Sequence, residues 1–418
     1  MKFVSFNLMP YRDLPKDFEQ QYESVWVTPP KTLYDPRIGH EIYHDYLDAL
    51  EYSIDLGYDA VGVNEHHSNA YGLMPSPNLL ASILSRKVRH SDTTSLIVLG
   101  NSLALYNPPI RVAEEFAMLD VLSGGKFIAG FPVGTSMDTN YVYGINPSEL
   151  RERYYEAHDL IMKAWKSDET FTWNGKYNQL RYVNPWPRTA QRPHPPVWIP
   201  GGGSVETYDF SLENNYSFSY LSFFGHKYAK KVMDPFWQRA EALGLDDNPY
   251  RAGYAQLVCV SETDEQAEKD YAEHAMYFFA KCMHIARRFV EAPGYRTVAS
   301  LKAGLRSQLD GSAKFGSQLV GEGLGWKDFV ERGYIIAGSP DTVAEKLNEA
   351  AQELHVGNIV LINQVGSMPR ELLMKNLQMF AEEVMPKLRD TWPEYDSRHY
   401  WPSGFADSYS TPDTQKSA

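Results

Sequence analysis

Eight short apolar runs alternate along the chain with longer amphipathic segments, and this alternation limits the fold more than any other feature. The runs are KFVSFNL, YDAVGVN, TSLIVLGNSLAL, KFIAGF, PVWIPG, YSFSYLSF, GYAQLVCV and GNIVLIN. Between them apolar residues recur at helical spacing, as in HEIYHDYLDALEYSIDLG and SPDTVAEKLNEAAQELHVG. Apolar strands that alternate with helices form parallel sheets covered by those helices. Eight such units predict a protein of the α/β class, a closed (β/α)8 TIM barrel.

An open, doubly wound sheet is the alternative fold for such an alternation. Open sheets that bind nucleotides commonly carry a glycine-rich phosphate loop after a strand, either GxGxxG or GxxxxGK[ST]. No strand of this chain is followed by such a loop. The barrel is therefore the favoured interpretation, and its chemistry is expected at the carboxyl ends of the strands.

The charge and the cysteine count exclude several classes of protein. The chain has 418 residues and a net charge of −13, whereas nucleic-acid binding relies on concentrated Lys and Arg. Cys259 and Cys282 are the only cysteines, too few for a disulfide framework and not spaced for zinc. Neither a signal peptide nor an apolar run of membrane-spanning length is present. We expect a cytoplasmic protein that binds neither nucleic acid nor membranes.

Three connections are longer than ordinary loops between strands and helices. They comprise residues 9–39, 168–196 and 262–337, and the second contains TWNGKY, a predicted hairpin turn. Long loops in a compact domain are commonly functional lids. We therefore predict one barrel domain over residues 1–392, with long insertions over the carboxyl-terminal face of the strands. Residues 393–418 lack periodicity and are predicted to form a surface tail.

Four polar residues, Asn64, Glu65, His66 and His67, follow the second apolar run. Because side chains alternate along an extended chain, only one of the two histidines is expected to face the barrel axis. An imidazole titrates near neutral pH and can serve there as a general base or a hydrogen-bond donor. A metal site is disfavoured because neither HExxH nor a second ligand cluster accompanies the run. Two purely structural histidines are the alternative interpretation.

The sequence GGGSVET follows the fifth apolar run and is typical of an anion-binding loop. Gly202 and Gly203 allow the backbone to approach a ligand closely. Ser204 begins a helix whose free N–H groups and dipole favour a phosphate, and Thr207 adds a second hydroxyl. An ordinary turn followed by a helix N-cap would explain the same residues.

The run NEHH, with YGLMPSPNLLAS, IVLGNSLAL and NPPIRVAEEFAMLDVLSGGKFIAGFPVG after it, resembles the bacterial luciferase-like family of flavin-dependent monooxygenases. The resemblance continues at RERYYEAHDLIMKAW, PPVWIPGGGSVET and GSPDTVAEKL. It implies a barrel that uses reduced FMN, supplied by a separate flavin reductase, and O2 to form a flavin peroxide and oxygenate a small organic substrate. It also implies a homodimer or higher homo-oligomer, with IRVAEEFAMLDVLSG in the contact surface.

The same resemblance implies roles for individual residues. His66 and Asn101 would be catalytic, His66 acting on the flavin peroxide and Asn101 donating a hydrogen bond near the flavin N5. The residues implied to bind the cofactor are Asn64, Glu65, Ser102, Gly134, Arg153, Tyr154, Gly202, Gly203, Ser204 and Thr207. The resemblance implies no metal.

Some of these implied roles depend on local features of this chain. Arg153, before Tyr154, matches the arginine and aromatic pair that opens the fourth helix in the family, and would pair with the phosphate. Ser102 and Leu103 would flank the non-proline cis peptide that the family often has. The sequence departs from the family at GFPVG, which ends with Gly134, because no cysteine or basic residue follows the strand. Only the backbone is expected to contact flavin there.

The substrate is less well constrained by the sequence. Aromatic residues on predicted mouth loops suit a flat or apolar compound, such as a heteroaromatic ring, an aldehyde or a ketone: they are Tyr11, Trp26, Tyr34, Tyr71 and Tyr106. An anionic substrate remains an alternative, because three arginines lie on predicted loops: Arg12, Arg37 and Arg296. The alternative functions are a deazaflavin (F420)-dependent dehydrogenase on the same barrel, a non-catalytic flavin-binding subunit and a metal-dependent hydrolase.

Overall fold

Parallel strand pairing closes a ring of eight strands. The structure is a computed structural model that describes residues 1–221, 224–290, 292–295, 297 and 316–405. Its strands are β1 (Lys2–Phe6), β2 (Ala60–Val63), β3 (Ser95–Val98), β4 (Phe127–Gly130), β5 (Phe171–Asn174), β6 (Gln179–Val183), β7 (Val197–Gly201), β8 (Ser217–Tyr220), β9 (Ala252–Val260), β10 (Ile335–Gly338) and β11 (Asn358–Ile362). The ring runs β1–β2–β3–β4–β7–β8–β9–β11 and returns to β1. The predicted (β/α)8 barrel is confirmed.

Helices connect the strands of the ring and cover them. The described α-helices are α1 (Phe18–Gln21), α2 (Pro36–Asp55), α3 (Pro77–Val88), α4 (Ile110–Ser123), α5 (Met137–Tyr143), α6 (Leu150–Lys166), α7 (Val205–Glu213), α8 (Gly225–Ala242), α9 (Asp264–Tyr277), α10 (Arg287–Val290), α11 (Gly316–Gly321), α12 (Trp326–Glu331), α13 (Pro340–Leu354), α14 (Arg370–Met379) and α15 (Met385–Leu388). The π-helical segments Phe278–Cys282 and Phe380–Val384 continue α9 and α14.

The local sequence explains where these elements begin and why the strands are apolar. Every residue of β2, β3, β4 and β11 is buried, because helices cover one face of each strand and barrel side chains cover the other. Asp35 caps α2 by accepting a hydrogen bond from the backbone N–H of Arg37. Ser339 caps α13 in the same way, as the sequence Ser-Pro-Asp predicts.

Two pairings lie outside the ring. β5 and β6 form the antiparallel hairpin predicted at TWNGKY. β10 pairs in parallel with the carboxyl-terminal part of β9, from Ile335 opposite Leu257 to Gly338 opposite Val260. The eight predicted runs did not include β10, because it lies at the end of the irregular segment 262–337.

The first insertion and the described part of the third lie over the carboxyl ends of the strands and pack against each other. The backbone N–H of Val25 donates to the carbonyl of His284 at 2.7 Å. The prediction is wrong for residues 168–196, which leave α6 and enter β7 at its amino-terminal end. There Gln191 Nε2 donates to the carbonyl of Phe127, the first residue of β4. A connection from a helix to the next strand returns to the opposite face of the barrel from the active site.

The described part of the predicted tail is packed against the barrel. Trp401 is 7% exposed, and its indole N–H donates to Asn358 Oδ1 at 2.9 Å. Trp198 Nε1 donates to the carbonyl of Tyr400 at 3.1 Å. Since Asn358 and Trp198 lie near the starts of β11 and β7, these residues cover the amino-terminal end of the barrel. Residues 406–418 of the predicted tail lie outside the described residues.

Candidate active site

A row of buried amide side chains follows four neighbouring strands of the ring. Three of them come directly after their strands: Asn363 after β11, Asn7 after β1 and Asn64 after β2. The fourth, Asn101, follows β3 by three residues, and none of the four is more than 7% exposed. Asn7 Oδ1 accepts from the backbone N–H of Met9. Within the residues that the structure describes, the Oδ1 atoms of the other three have no hydrogen-bond partner. Because buried polar groups are normally satisfied, this row is suited to a polar ligand or to water.

The sequence predicted Asn64 and Asn101 in this row but missed Asn7 and Asn363. The signal was present, since Asn363 is the last residue of the run GNIVLIN and Asn7 is the last but one of KFVSFNL. In a barrel the carboxyl ends of all parallel strands meet at one rim. Reading the last two residues of every run would have found Asn7, Asn64 and Asn363, whereas Asn101 lies within its run.

Glu65 lies at the centre of a hydrogen-bond network beside this row. Its Oε1 accepts from Tyr106 Oη at 3.2 Å and from Tyr143 Oη at 3.1 Å, and it lies 2.9 Å from His67 Nε2. Its Oε2 accepts from the backbone N–H of Ser102 at 2.9 Å. The carboxylate is thus fully occupied by protein donors. Glu65 therefore acts through its neighbours, rather than through a free oxygen.

His66 lies next to a second buried carboxylate. Its Nδ1 lies 2.8 Å from Asp138 Oδ2, and the Asp138 side chain is fully buried. Trp26 and Tyr71 flank the imidazole, with ring centroids 5.5 Å and 4.9 Å from it. Trp26 comes from the first insertion, and its Nε1 is buried without a partner. The first insertion therefore closes over His66 with an aromatic wall.

Burial and neighbouring charges shift the pKa values of these groups. Burial raises the pKa of Tyr106 and of Tyr143, and the charge of Glu65 adds to both shifts, so both phenols keep their protons. Burial alone would raise the pKa of Asp138. The charge and hydrogen bond of His66 outweigh that effect and leave the pKa of Asp138 below its usual value.

The segment after β3 meets the loop after β4 at this network. Asn101 Nδ2 donates to Tyr106 Oη at 2.8 Å. Gly134 has φ of 94°, and a Cβ there would lie 2.7 Å from Ser102 Cβ. Only glycine fits this close approach. The described cis peptides all precede proline, so the non-proline cis bond expected between Ser102 and Leu103 is wrong.

The glycine-rich loop forms the predicted turn into a helix. Ser204 is the N-cap of α7, and its Oγ lies 2.8 Å from Thr207 Oγ1. Gly203 has φ of 94°, and a Cβ there would lie 2.5 Å from Val232 Cγ1. A Cβ at Gly202 would meet no atom within 4 Å. The loop therefore offers an open backbone approach at Gly202 and two hydroxyls at the helix start.

The arginine that the structure brings to this loop is Arg151, not Arg153. Arg151 Nη2 lies 3.7 Å from Glu206 Oε2, and its guanidinium lies over the ring of Tyr295 at 4.7 Å. Among the described residues, its Nε and Nη2 have no hydrogen-bond partner, and the side chain is 19% exposed. A largely covered guanidinium with two unfilled donors is suited to an anion.

Arg153 and Tyr154, the residues implied by the resemblance, are both otherwise engaged. Arg153 pairs with Glu149 at 2.9 Å and lies 4.2 Å from the centre of the Tyr177 ring. Tyr154 is 2% exposed, and its hydroxyl donates to the carbonyl of Phe131 at 2.9 Å. The structure therefore does not bring Arg153 to the Gly202–Thr207 loop, and Tyr154 serves the packing of α6.

The residues present fit FMN at two places. The unfilled amide oxygens of Asn64, Asn101 and Asn363 suit the polar edge of a flavin ring, and Arg151 with the start of α7 suits its phosphate. Within the described ranges, no three His, Cys, Asp or Glu residues are grouped so as to hold a metal ion. In the same ranges no helix is both long enough and apolar enough to span a membrane.

Comparison with known proteins gives a family and a set of distant relatives. Residues 27–356 match the family model for luciferase-like monooxygenases. An uncharacterized protein of Sinorhizobium fredii is 36% identical over 157 residues, which cover 38% of this chain and 44% of that protein. The 4-hydroxyprotoasukamycin monooxygenase of Streptomyces nodosus subsp. asukaensis is 22% identical over 87% of this chain and 91% of its own.

A solved structure shares the fold. It is the oxygenating constituent of 3,6-diketocamphane monooxygenase from Pseudomonas putida, in complex with FMN. The TM-score is 0.66 and the identity 17%, and the alignment covers 93% of this chain and 98% of the other.

Proposed function

The chain belongs to the luciferase-like monooxygenase family, and we propose that it uses reduced FMN and O2 to oxygenate a small neutral organic substrate. The observation that carries this proposal is the presence of two unfilled polar sites at the barrel mouth. One is the row of amide oxygens beside Glu65 and the other is the largely covered Arg151 guanidinium near the start of α7. FMN has a polar ring edge and a phosphate, so it can satisfy both.

Each site would hold a different part of the cofactor. Arg151, Ser204 and Thr207 would bind the phosphate, with the N-terminus of α7 behind them. Asn64 and Asn101 would meet the ring edge with their unfilled oxygens. Reduced FMN activates O2 when bound, and a separate flavin reductase is proposed to supply it.

His66 is the residue proposed to move a proton. Its Nδ1 is engaged by Asp138, and its ring lies between Trp26 and Tyr71 under the first insertion. Closure by aromatic side chains excludes water from the imidazole and from whatever it contacts. An imidazole in such a site is a suitable general base near neutral pH.

Local charges favour a neutral substrate. Arg12 is paired with Asp45, and Arg37 is exposed and paired with Asp35. Neither is therefore available to bind an anionic group, and Arg296 lies outside the described residues. Trp26 and Tyr71 supply apolar surface beside His66, which suits a heteroaromatic ring, an aldehyde or a ketone.

The test is anaerobic titration of the protein with reduced FMN, followed by mixing with aerated buffer while flavin absorbance and O2 are recorded. We expect saturable binding and reoxidation kinetics that differ from those of free flavin. Absence of binding would contradict the proposal, and binding followed by reoxidation indistinguishable from that of free flavin would favour the non-catalytic flavin-binding subunit. Hydride transfer to F420 without O2 consumption would instead establish a deazaflavin-dependent dehydrogenase.

A homo-oligomer is also proposed, through the outer faces of α3 and α4, which pack side by side. Five large apolar residues on these helices are exposed by 42% or more: Leu79, Ile83, Met118, Val121 and Leu122. Contiguous exposed apolar surface is typical of a protein interface. We expect Met118→Glu to lower the mass measured by light scattering, whereas Leu243→Glu, at an exposed position on α8's C-cap, leaves it unchanged. A monomeric wild type would contradict the proposal.

A further inference from the structure

The two adjacent histidines use opposite ring nitrogens to contact buried carboxylates. His66 Nδ1 lies 2.8 Å from Asp138 Oδ2, whereas His67 Nε2 lies 2.9 Å from Glu65 Oε1. The side chains of Asp138 and Glu65 are 0% and 1% exposed. In a neutral imidazole one nitrogen donates and the other accepts. Each carboxylate therefore determines which nitrogen of its histidine carries the proton.

Asp138 can only accept from His66. The same oxygen also accepts from the backbone N–H of His67 at 3.2 Å and from Asn69 Nδ2 at 2.9 Å. These donors cannot reverse their roles, and the lowered pKa of Asp138 keeps the carboxylate ionised. A carboxylate that accepts two fixed donors and faces Nδ1 requires a proton on that nitrogen.

Glu65 is occupied in the same manner. Its Oε2 accepts from the backbone N–H of Ser102, and its Oε1 accepts from the hydroxyls of Tyr106 and Tyr143. Since burial raises the pKa of both phenols, they remain donors. The proton of His67 is therefore required on Nε2.

One short helix supports both contacts. Asp138 lies in the first turn of α5 and Tyr143 is its last residue. The ring of Tyr141, on the same helix, packs edge-on against Phe289 of the third insertion at 6.3 Å. The helix thus connects the two carboxylate contacts with the insertion that covers the mouth.

We propose that Asp138 is a positioning residue that holds His66 as the Nδ1-protonated tautomer and leaves its Nε2 lone pair for the reacting groups, while Glu65 holds His67 as the opposite tautomer. The tautomers follow from the contacts of the two carboxylates and do not depend on the proposed function. Only the identity of the group that contacts His66 Nε2 rests on the proposed function. With these opposite tautomers, His66 is the proton acceptor and His67 is a structural member of the Glu65 network.

The test is long-range ¹H–¹⁵N NMR of the flavin-free protein labelled at histidine, above the titration range of imidazole. His66→Gln and His67→Gln assign the two rings. We expect His66 to show a protonated Nδ1 and an unprotonated Nε2, and His67 to show the reverse. If either Gln variant fails to fold, His66→Asn or His67→Asn serves for the assignment. A His66 ring protonated at Nε2 in the wild type would overturn the proposal.

Asp138→Asn provides the matched perturbation. We expect the His66 signals to move towards the other tautomer or a mixture, because the amide can also donate to Nδ1, while His67 keeps its pattern. An unchanged His66 pattern would refute the role of Asp138. Addition of reduced FMN should then shift the Nε2 resonance of His66 more than its Nδ1 resonance. If FMN does not bind, the proposed function fails, but the tautomer result stands.

Discussion

Replacement of Arg151 by Gln is expected to weaken FMN binding without destabilising the flavin-free protein. Two nitrogens of this guanidinium have no hydrogen-bond partner within the described part of the chain, and the Glu206 carboxylate lies 3.7 Å away. A largely covered cation whose donors are unfilled costs free energy in the folded state. The replacement removes that cost, and it also removes the donors that a phosphate would use.

The magnitude is worked for the net loss of one hydrogen bond between charged groups. Hydrogen bonds to charged groups contribute about 1.5–3 kcal/mol. Since about 1.4 kcal/mol corresponds to a factor of ten, the Kd for FMN should rise by about 10- to 150-fold. Arg153→Gln is the matched control, because Arg153 is already paired with Glu149 and lies over Tyr177. Its loss should change the Kd by less than about threefold and stability by about 0.2–1 kcal/mol.

The assay is anaerobic fluorescence titration with reduced FMN, repeated with reduced riboflavin, which lacks the phosphate. We expect the difference between Arg151→Gln and the wild type to disappear with riboflavin. Urea unfolding of the flavin-free wild type and of flavin-free Arg151→Gln measures the change in the free energy of unfolding. The reasoning is refuted if Arg153→Gln weakens FMN binding more than Arg151→Gln, or if the Arg151 effect persists with riboflavin.

Two further predictions concern stability. Gly203→Ala should lower the free energy of unfolding by about 2–4 kcal/mol, because φ is 94° and the new Cβ would meet Val232 at 2.5 Å. Gly202→Ala, where a Cβ meets nothing within 4 Å, should change it by about 0.5 kcal/mol or less in the same urea assay. Burial raises the pKa of Asp120 from 3.8 to about 6, so its contribution to stability is largest in acid and falls as pH rises through the folded pKa. The stability of the wild type relative to Asp120→Asn should therefore decrease by about 2 kcal/mol between about pH 4.5 and pH 7.5, and a constant difference would contradict the shift.

The barrel was predictable because its signal is repeated. Each apolar run identifies a strand independently, so an error in one run does not change the fold. The hairpin β5–β6 was also predictable, since an Asn-Gly turn separates two short β-rich runs. β10 was not, because four residues inside an irregular segment carry no periodicity. Its strand character comes from pairing with the end of β9, which is a tertiary contact.

The candidate site was predictable only where it is built from strand ends. Asn64 to His67 and Gly202 to Thr207 lie directly after strands, and the barrel fixes the positions of such residues. Asp138 is different, because it is 72 residues from His66 and belongs to a short helix in the loop after β4. Its contact with the imidazole depends on the path of that loop, and nothing in the local sequence specifies the path.

The choice between the two arginines of α6 could not have been made from the sequence. Successive residues of an α-helix are turned by about 100°, and the buried residues Leu150, Tyr154, Ala157 and Ile161 centre on a direction about 10° from Leu150. Arg151 lies about 90° to one side of that direction and Arg153 about 70° to the other. The two arginines therefore flank the covered face of α6 on opposite sides, and their side chains are 19% and 23% exposed. Matching an Arg-Tyr pair by resemblance identifies the helix, but which flank faces the start of α7 is a tertiary property, and it determines which guanidinium can reach that loop.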